Sequence, residues 1–266
     1  MILVVLSAGR GRRMGGLGET TPKILVPVSE GRSLLDFLIE AVDKVDGLAE
    51  MLLVTGYSAT SINAAVALKR CTKPLAIRYN PFYELAGPIA SIWLTQVWTG
   101  SSDFILCNGD TYYSARSLTT VAGRTKAGLT LGIERGGNYG ADDMRVILNK
   151  AGGLLSVGKG IPVDRASGVS AGLLAVVGQD VREQFGTTID SLVRSREYLA
   201  PGKAWHSLCN ALVESGVPVG TIPLEAFDWH EVDSSQDIEA LNAKLRRARS
   251  PGGLEAPHPK TADPAQ

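Results

Sequence analysis

Apolar positions along the first 110 residues alternate between two patterns. Ile2 to Leu6 is an unbroken branched run, too short for a helix and bounded by small residues, and it reads as a strand buried on both faces. Ser33 then opens a segment with apolar residues at 34, 35, 38, 39, 42 and 45, the spacing of an amphipathic helix with Ser33 as N-cap. The same two patterns recur. Met51–Thr55, Pro74–Tyr79 and Asp103–Asn108 read as strands, with a helix from Ser58, a second candidate cap, to about Lys69 and another from about Pro88. Ile24–Val28 reads as a short extended piece.

Strand and helix in alternation predict a parallel sheet covered by helices on both faces, with right-handed connections and a ligand crevice at the carboxyl ends of the strands. Four loops fall at that edge: residues 7–23, Gly56-Tyr57, Asn80–Gly87 and Gly109-Asp110. From about Ala127 to Val177 the pattern changes to short strands (LTLGIER, MRVILNK, LLSVGK, SGVSAGLLAVV) separated by glycine-rich turns, which predicts a mixed sheet with a hairpin-like lobe. A second substrate's pocket is expected between that lobe and the first half. Helices follow at Gln179–Ser195 and Ala204–Ser215, then a strand at Pro218–Ile222 and a final helix capped by Ser234 or Ser235 with Asp237 in its first turn. There is no internal repeat. The expected organisation is one domain over residues 1–248, with a first half of about 1–126, which the resemblance given below implies is the nucleotide half, and a second of about 127–248, the acceptor half; residues 249–266, with no apolar period, read as a disordered tail.

Composition narrows the ligand. The 266 residues carry 27 basic and 27 acidic side chains with no long basic block, which argues against a nucleic-acid or membrane-surface partner and for a small molecule. Three cysteines without CxxC spacing suit a reducing cytoplasm, and the apolar start is too short for a signal peptide. No run approaches the roughly 18 apolar residues of a membrane span.

The chemistry concentrates in the first loop. Residues 9–16 hold Arg10, Arg12 and Arg13 among four glycines, with Pro22-Lys23 at the loop's end. Glycines allow close backbone approach, and successive N–H groups beside Arg and Lys make a cradle for several negative charges, such as a polyphosphate. The spacing is neither a dinucleotide GxGxxG nor a Walker A loop. Asp110 closes a strand in ILCNGDTYY, where it fits a turn, and Asp233 stands in WHEVDSSQDIEAL, where it fits an ordinary helix cap.

LSAGRGRRM followed by TPKILVPV resembles the signature of the nucleoside-triphosphate:sugar-phosphate nucleotidyltransferase superfamily, L-x-A-G-x-G-x-R-M and P-K-x-L-x-P-V. GD at Gly109-Asp110 and EVDSSQDI at the C-terminal end are similar to its two metal-binding segments. YNPFYELAGPIASIWL resembles the choline-phosphate cytidylyltransferase type, though Ala86-Gly87-Pro88 departs from it and is also similar to molybdopterin guanylyltransferases. The resemblance implies a three-layer α/β/α, Rossmann-like fold with a mixed, mostly parallel sheet. It implies a Mg²⁺-dependent transferase moving NMP, CMP from CTP first, onto a small phosphate or phosphonate acceptor with release of pyrophosphate. The alternatives are a sugar-1-phosphate uridylyl-, thymidylyl- or guanylyltransferase and a non-catalytic nucleotide-binding homologue. The implied roles are Arg13 and Lys23 in catalysis, and Leu6, Ala8, Gly9, Gly11, Gly87 and Ser91 beside them on the nucleotide, with Asp110 and Asp233 on the metal. Tyr83, Tyr112, Lys159, Ser170 and Trp229 are expected at the acceptor, where Tyr83, Tyr112, Trp205 and Trp229 would supply aromatic faces to a quaternary ammonium, while His206 and His230 read as structural. A homodimer is compatible with all of this.

Overall fold

The computed structural model describes residues 1–11, 21–124, 126–137, 139–195 and 203–249. The predicted strand and helix alternation is present. Strand β1 (Ile2–Ser7) runs down the middle of the main sheet, paired in parallel with β4 (Glu50–Thr55) on one side and β6 (Phe104–Asn108) on the other, and β5 (Leu75–Tyr79) pairs in parallel with β4 at the edge. Leu3, Val4 and Val5 are fully buried, as a strand covered on both faces requires. Between β1 and β4 lie a short hairpin, β2 (Pro27–Ser29) and β3 (Arg32–Ser33), and helix α1 (Leu34–Lys44). Ser33 and Asp36 form a reciprocal capping box that starts α1, and its apolar stripe packs into the core on one face of the sheet.

Helix α2 (Ala59–Ala67) starts differently from the sequence reading: Ser58 sits in the left-handed region at φ 52° and its hydroxyl donates to Ser61 Oγ, so it does not cap the helix. Pro88 is the first residue of α3 (Pro88–Trp93), where its missing N–H costs nothing, and α4 (Gln96–Thr99) follows. The expected extended piece at Ile24–Val28 is instead a 3-10 turn over Lys23–Leu25 running into β2.

The sheet becomes mixed where predicted. After β7 (Thr111–Tyr113) and α5 (Ala115–Ala122), the long buried strand β11 (Gly168–Val177) runs antiparallel to β6 on one side and to β8 (Gly128–Glu134) on the other. Its first two residues also pair with β9 (Arg145–Leu148), which forms the predicted hairpin with β10 (Leu154–Gly158). Gly172 interrupts the β11 register with φ 70°, and a Cβ there would lie 2.5 Å from Asn108 Nδ2. Only glycine suits that position. Helices α6 (Gln179–Arg194) and α7 (Ser207–Glu214) cover the second face, and β12 (Val219–Pro223) adds in parallel to β8. A two-stranded ribbon of β7 and β13 (Trp229–Glu231) precedes α8 (Ser235–Arg249). The fold is thus the mixed, mostly parallel α/β architecture expected, with eight α-helices among the described residues. No described helix is long and apolar enough to cross a membrane. The proposed tail lies outside the described residues, apart from Arg249 at the end of α8.

Candidate active site

Three strand ends meet at the carboxyl edge of the sheet. Gly109 N–H donates to Leu6 O (2.8 Å), which ties the end of β6 to β1 and aims Asp110 across the crevice. The β7–β13 ribbon pairs Thr111 with Glu231, and Val232 N–H donates to Asp110 O (2.8 Å), so the C-terminal EVD segment is drawn against Asp110. Val232 is fully buried, and side chains alternate across an extended segment, so Glu231 and Asp233 both emerge on the side of Asp110. Carboxylate oxygens of Asp110, Glu231 and Asp233 lie within 4.8 Å of one another.

Lys23 enters from the opposite wall. Pro22 and Ile24 are buried on either side of it and fix the 3-10 turn, which turns the Lys23 side chain inward. Its ammonium lies 3.3 Å from Asp110 Oδ2 and donates to Asp233 Oδ1, 210 residues away in the chain. Burial alone would lower the Lys23 pKa; the charges and hydrogen bonds of Asp110 and Asp233 outweigh it and hold the ammonium above its ordinary value. Glu231 has the opposite balance. Crowding of its carboxyl by surrounding protein, then the charges of Asp110 and Asp233, push it up to about 7 although the residue as a whole lies at an exposed edge.

The three carboxylates offer an all-oxygen donor set, the chemistry that suits a divalent cation of the Mg²⁺ class, and Lys23 shows that the cluster already draws a positive charge. Asp233 does not cap α8. Ser234 does: Asp237 N–H donates to Ser234 Oγ, while Asp237 Oδ2 accepts from the backbone N–H groups of both Asp233 and Ser234, leaving the Asp233 carboxylate to face Lys23. Glu231 was not among the sequence candidates. Its signal is the acid-apolar-acid alternation of EVD after a strand.

The remaining candidates distribute around this centre. Gly11 has φ 64°, and a Cβ there would meet Lys23 Cγ at 2.6 Å, so Gly11 lies directly on the Lys23 stem. Ala8 is buried and its carbonyl accepts from Tyr57 N–H (2.9 Å), while Leu6 is half-buried and Gly9 exposed. Arg10 stands over the Tyr57 ring and pairs with Glu84, joining the first loop to the 81–87 segment. Arg13 lies outside the described residues. Gly87 precedes α3, and buried Ser91 accepts from Asn80 Nδ2 (2.9 Å), bracing the same segment from within. Lys159 Nζ donates to Asp142 Oδ1 (2.6 Å), and buried Ser170 bonds His206 Nε2 (2.9 Å).

The four aromatic candidates each have contacts of their own. Trp229 lines a cavity and donates to Glu134 Oε2 (2.9 Å). Tyr112 stacks edge-on against Phe37, Tyr83 packs where a Cβ on Gly56 would fall, and Trp205 is buried, stacked on His206 and donating to Asn108 Oδ1 (2.7 Å). His206 and His230 make structural hydrogen bonds, to Ser170 and to the Asp237 carbonyl.

The cavity adjoins the carboxylate cluster. Its volume is about 560 Å³, and its lining runs from Glu231 and Asp233 past Trp229 to Glu134, Tyr139 and Asp143. A second, surface groove of about 610 Å³ between α6 and α7 is lined by residues such as Asp180, Thr187 and Ser215 and gathers no comparable chemistry.

Residues 3–131 match the model of the MobA-like NTP transferase domain. The whole fold is similar to that of CTP:phosphocholine cytidylyltransferase from Streptococcus pneumoniae, with a TM-score of 0.69 at 18% identity, over 92% of this chain and 99% of that one. It is similar to the inositol-1-phosphate CTP transferase of T. maritima (TM-score 0.70, 19% identity) and to a Bacillus anthracis protein described as a glucose-1-phosphate thymidylyltransferase (0.70, 13%), each over 92% of this chain and 96% of the other. The first half of the chain is thus similar to the MobA-like NTP transferase domain, and the fold as a whole is similar to that of these structures over 92% of the chain.

Proposed function

We propose that this protein transfers a nucleoside monophosphate, CMP from CTP, to a small acceptor bearing a phosphate or phosphonate, releasing pyrophosphate. The observation that carries the reading is the meeting of Lys23 with Asp110 and Asp233 at the strand ends, beside Gly11 on one side and a cavity on the other. The phosphate of such an acceptor is largely ionised at neutral pH, its second pKa being near 6, so no side chain has to deprotonate it. The protein's work is to align two polyanions and balance their charge.

Lys23 would contact the phosphate under attack, and the glycine loop with Arg13 would hold the triphosphate. Asp110, Asp233 and Glu231 would hold a Mg²⁺ ion, which when bound neutralises phosphate charge and orients the oxygens. The acceptor would occupy the 560 Å³ cavity, whose lining falls within the acceptor half of about 127–248, leaving the half of about 1–126 to the nucleotide. Among the described residues, six carboxylates line that cavity, Glu134, Asp142, Asp143, Glu231, Asp233 and Asp237, whereas one lysine does, Lys244, and it points at the Ala226 and Trp229 carbonyls. This balance favours an acceptor with an amine at the end remote from its phosphate over a sugar phosphate. The test is a pyrophosphate-release screen of four nucleoside triphosphates against phosphorylated amines, alcohols, sugars and phosphonates. Release with CTP and an amine-bearing acceptor is expected; release only with a sugar 1-phosphate would replace the acceptor assignment, and none with any pair would overturn the reading.

A further inference from the structure

Arg145 opens β9 and is only 6% exposed, yet among the described residues its guanidinium has no carboxylate partner. Three of its N–H groups go to backbone carbonyls: Nε donates to Ile161 O (2.5 Å), Nη1 to Gly140 O and Nη2 to Lys159 O. A buried cation without a counter-ion is retained only where dipoles replace its water, and these three carbonyls belong to two loops, 135–144 before β9 and 159–167 after β10. The first of these loops is knotted on itself, since Gly140 N–H donates to Asp143 Oδ2 (2.6 Å) and Arg145 N–H to Asp143 O (3.0 Å). At the tip the Lys159–Asp142 contact joins the two loops again. Tyr139, Asp142 and Asp143, all on the first loop, form one wall of the cavity beside the carboxylate cluster.

We infer that Arg145 is a positioning residue for the acceptor: its buried guanidinium binds the two loops into one unit and thereby sets the cavity wall and the place of Lys159. The inference rests on the reading of that cavity as the acceptor's. A lysine at 145 keeps the charge but reaches fewer carbonyls, and a methionine keeps much of the volume and reaches none.

The experiment pairs Arg145→Lys and Arg145→Met with steady-state kinetics and amide hydrogen exchange on the full chain. Arg145→Met is expected to raise the acceptor KM at least tenfold with the nucleotide KM unchanged within twofold, and Arg145→Lys to give an intermediate rise. Exchange in 139–144 and 158–162 should quicken at least tenfold in Arg145→Lys while β1 and β6 keep their protection. An acceptor KM within twofold of wild type in folded Arg145→Met, a parallel rise in both KM values, or faster exchange throughout the sheet would overturn it. Should Arg145→Met not fold, Arg145→Lys decides by the same criteria. If the wild-type chain turns over no acceptor, the functional reading fails, and exchange in Arg145→Lys then decides separately whether the guanidinium holds the two loops.

Discussion

Replacing Lys23 by methionine separates its two roles. In the free protein the ammonium holds two carboxylates that would otherwise face each other and Glu231 within 4.8 Å. The side chains are 13% exposed for Lys23, 30% for Asp110 and 24% for Asp233, so solvent screens the pairs in part. Loss of the two charge-assisted contacts should cost about 2 kcal/mol, below the range for a fully buried pair, which for a chain of this size lowers Tm by roughly 4–8 °C. A cost of that size leaves the protein folded at 25 °C, so a turnover assay at that temperature reads chemistry alone. If Lys23 meets the phosphate under attack, its removal costs about 3 kcal/mol in the transition state, on the order of a hundredfold in rate. The carboxylates, no longer sharing a resident cation, should also bind Mg²⁺ more tightly, so added Mg²⁺ should raise the Tm of Lys23→Met more than that of wild type. Calorimetry with and without Mg²⁺, run beside pyrophosphate release, measures all three quantities. Turnover within threefold of wild type would remove Lys23 from the chemistry, and equal Mg²⁺ shifts would refute the shared site.

Asp110→Asn keeps the shape of the side chain and removes its charge; pyrophosphate release should fall below detection while the circular dichroism spectrum and Tm stay near wild type, and normal turnover would exclude Asp110 from the centre. His206, buried beside Ser170, is held down to about 3 by burial and by the Lys159 charge. The unfolded chain takes up that proton near pH 6.5 and the folded one does not, so this contribution is complete above pH 6.5 and declines as pH falls toward 3, by about 3 kcal/mol at pH 4.5. Urea titrations at pH 7 and 4.5 should show His206→Gln losing that much less than wild type over the same interval; equal losses would contradict the assignment. Gly172→Ala forces a side chain into φ 70° and against Asn108 Nδ2, and should cost about 2 kcal/mol by urea titration, where no change would show that the bulge relaxes.

Much of the fold is readable because local and long-range signals agree. Ser33 precedes an apolar stripe of helical period and carries Asp36 three residues on, so the capping box and the buried face of α1 follow from the same stretch, residues 33–44. Ser58 precedes a helix too, but its backbone takes a left-handed turn to leave β4 at Gly56, and a side-chain rule for caps contains no information about that path. Lys23, Asp110 and Asp233 are legible as separate motifs; their meeting depends on the β7–β13 ribbon, whose three residue pairs join segments more than 100 residues apart. Glu231 is legible in retrospect from its alternation with buried Val232. The proposed aromatic cage shows the limit. Four aromatics spread from 83 to 229 have no spacing that says which face a cavity, and two of them, Trp205 and Tyr112, are engaged by His206 and Phe37. Arg145 has no motif at all, since its partners are carbonyl groups that every residue carries.

The most direct test of nucleotidyl transfer at the Lys23–Asp110–Asp233 centre follows the α-phosphorus itself. With α-³²P-labelled CTP, Mg²⁺ and an amine-bearing phosphate or phosphonate acceptor, the label should pass into a product larger than CMP, with one pyrophosphate released per product and neither formed by Asp110→Asn. Release of inorganic phosphate with the label left in CDP, or equal product formation by Asp110→Asn, would contradict it.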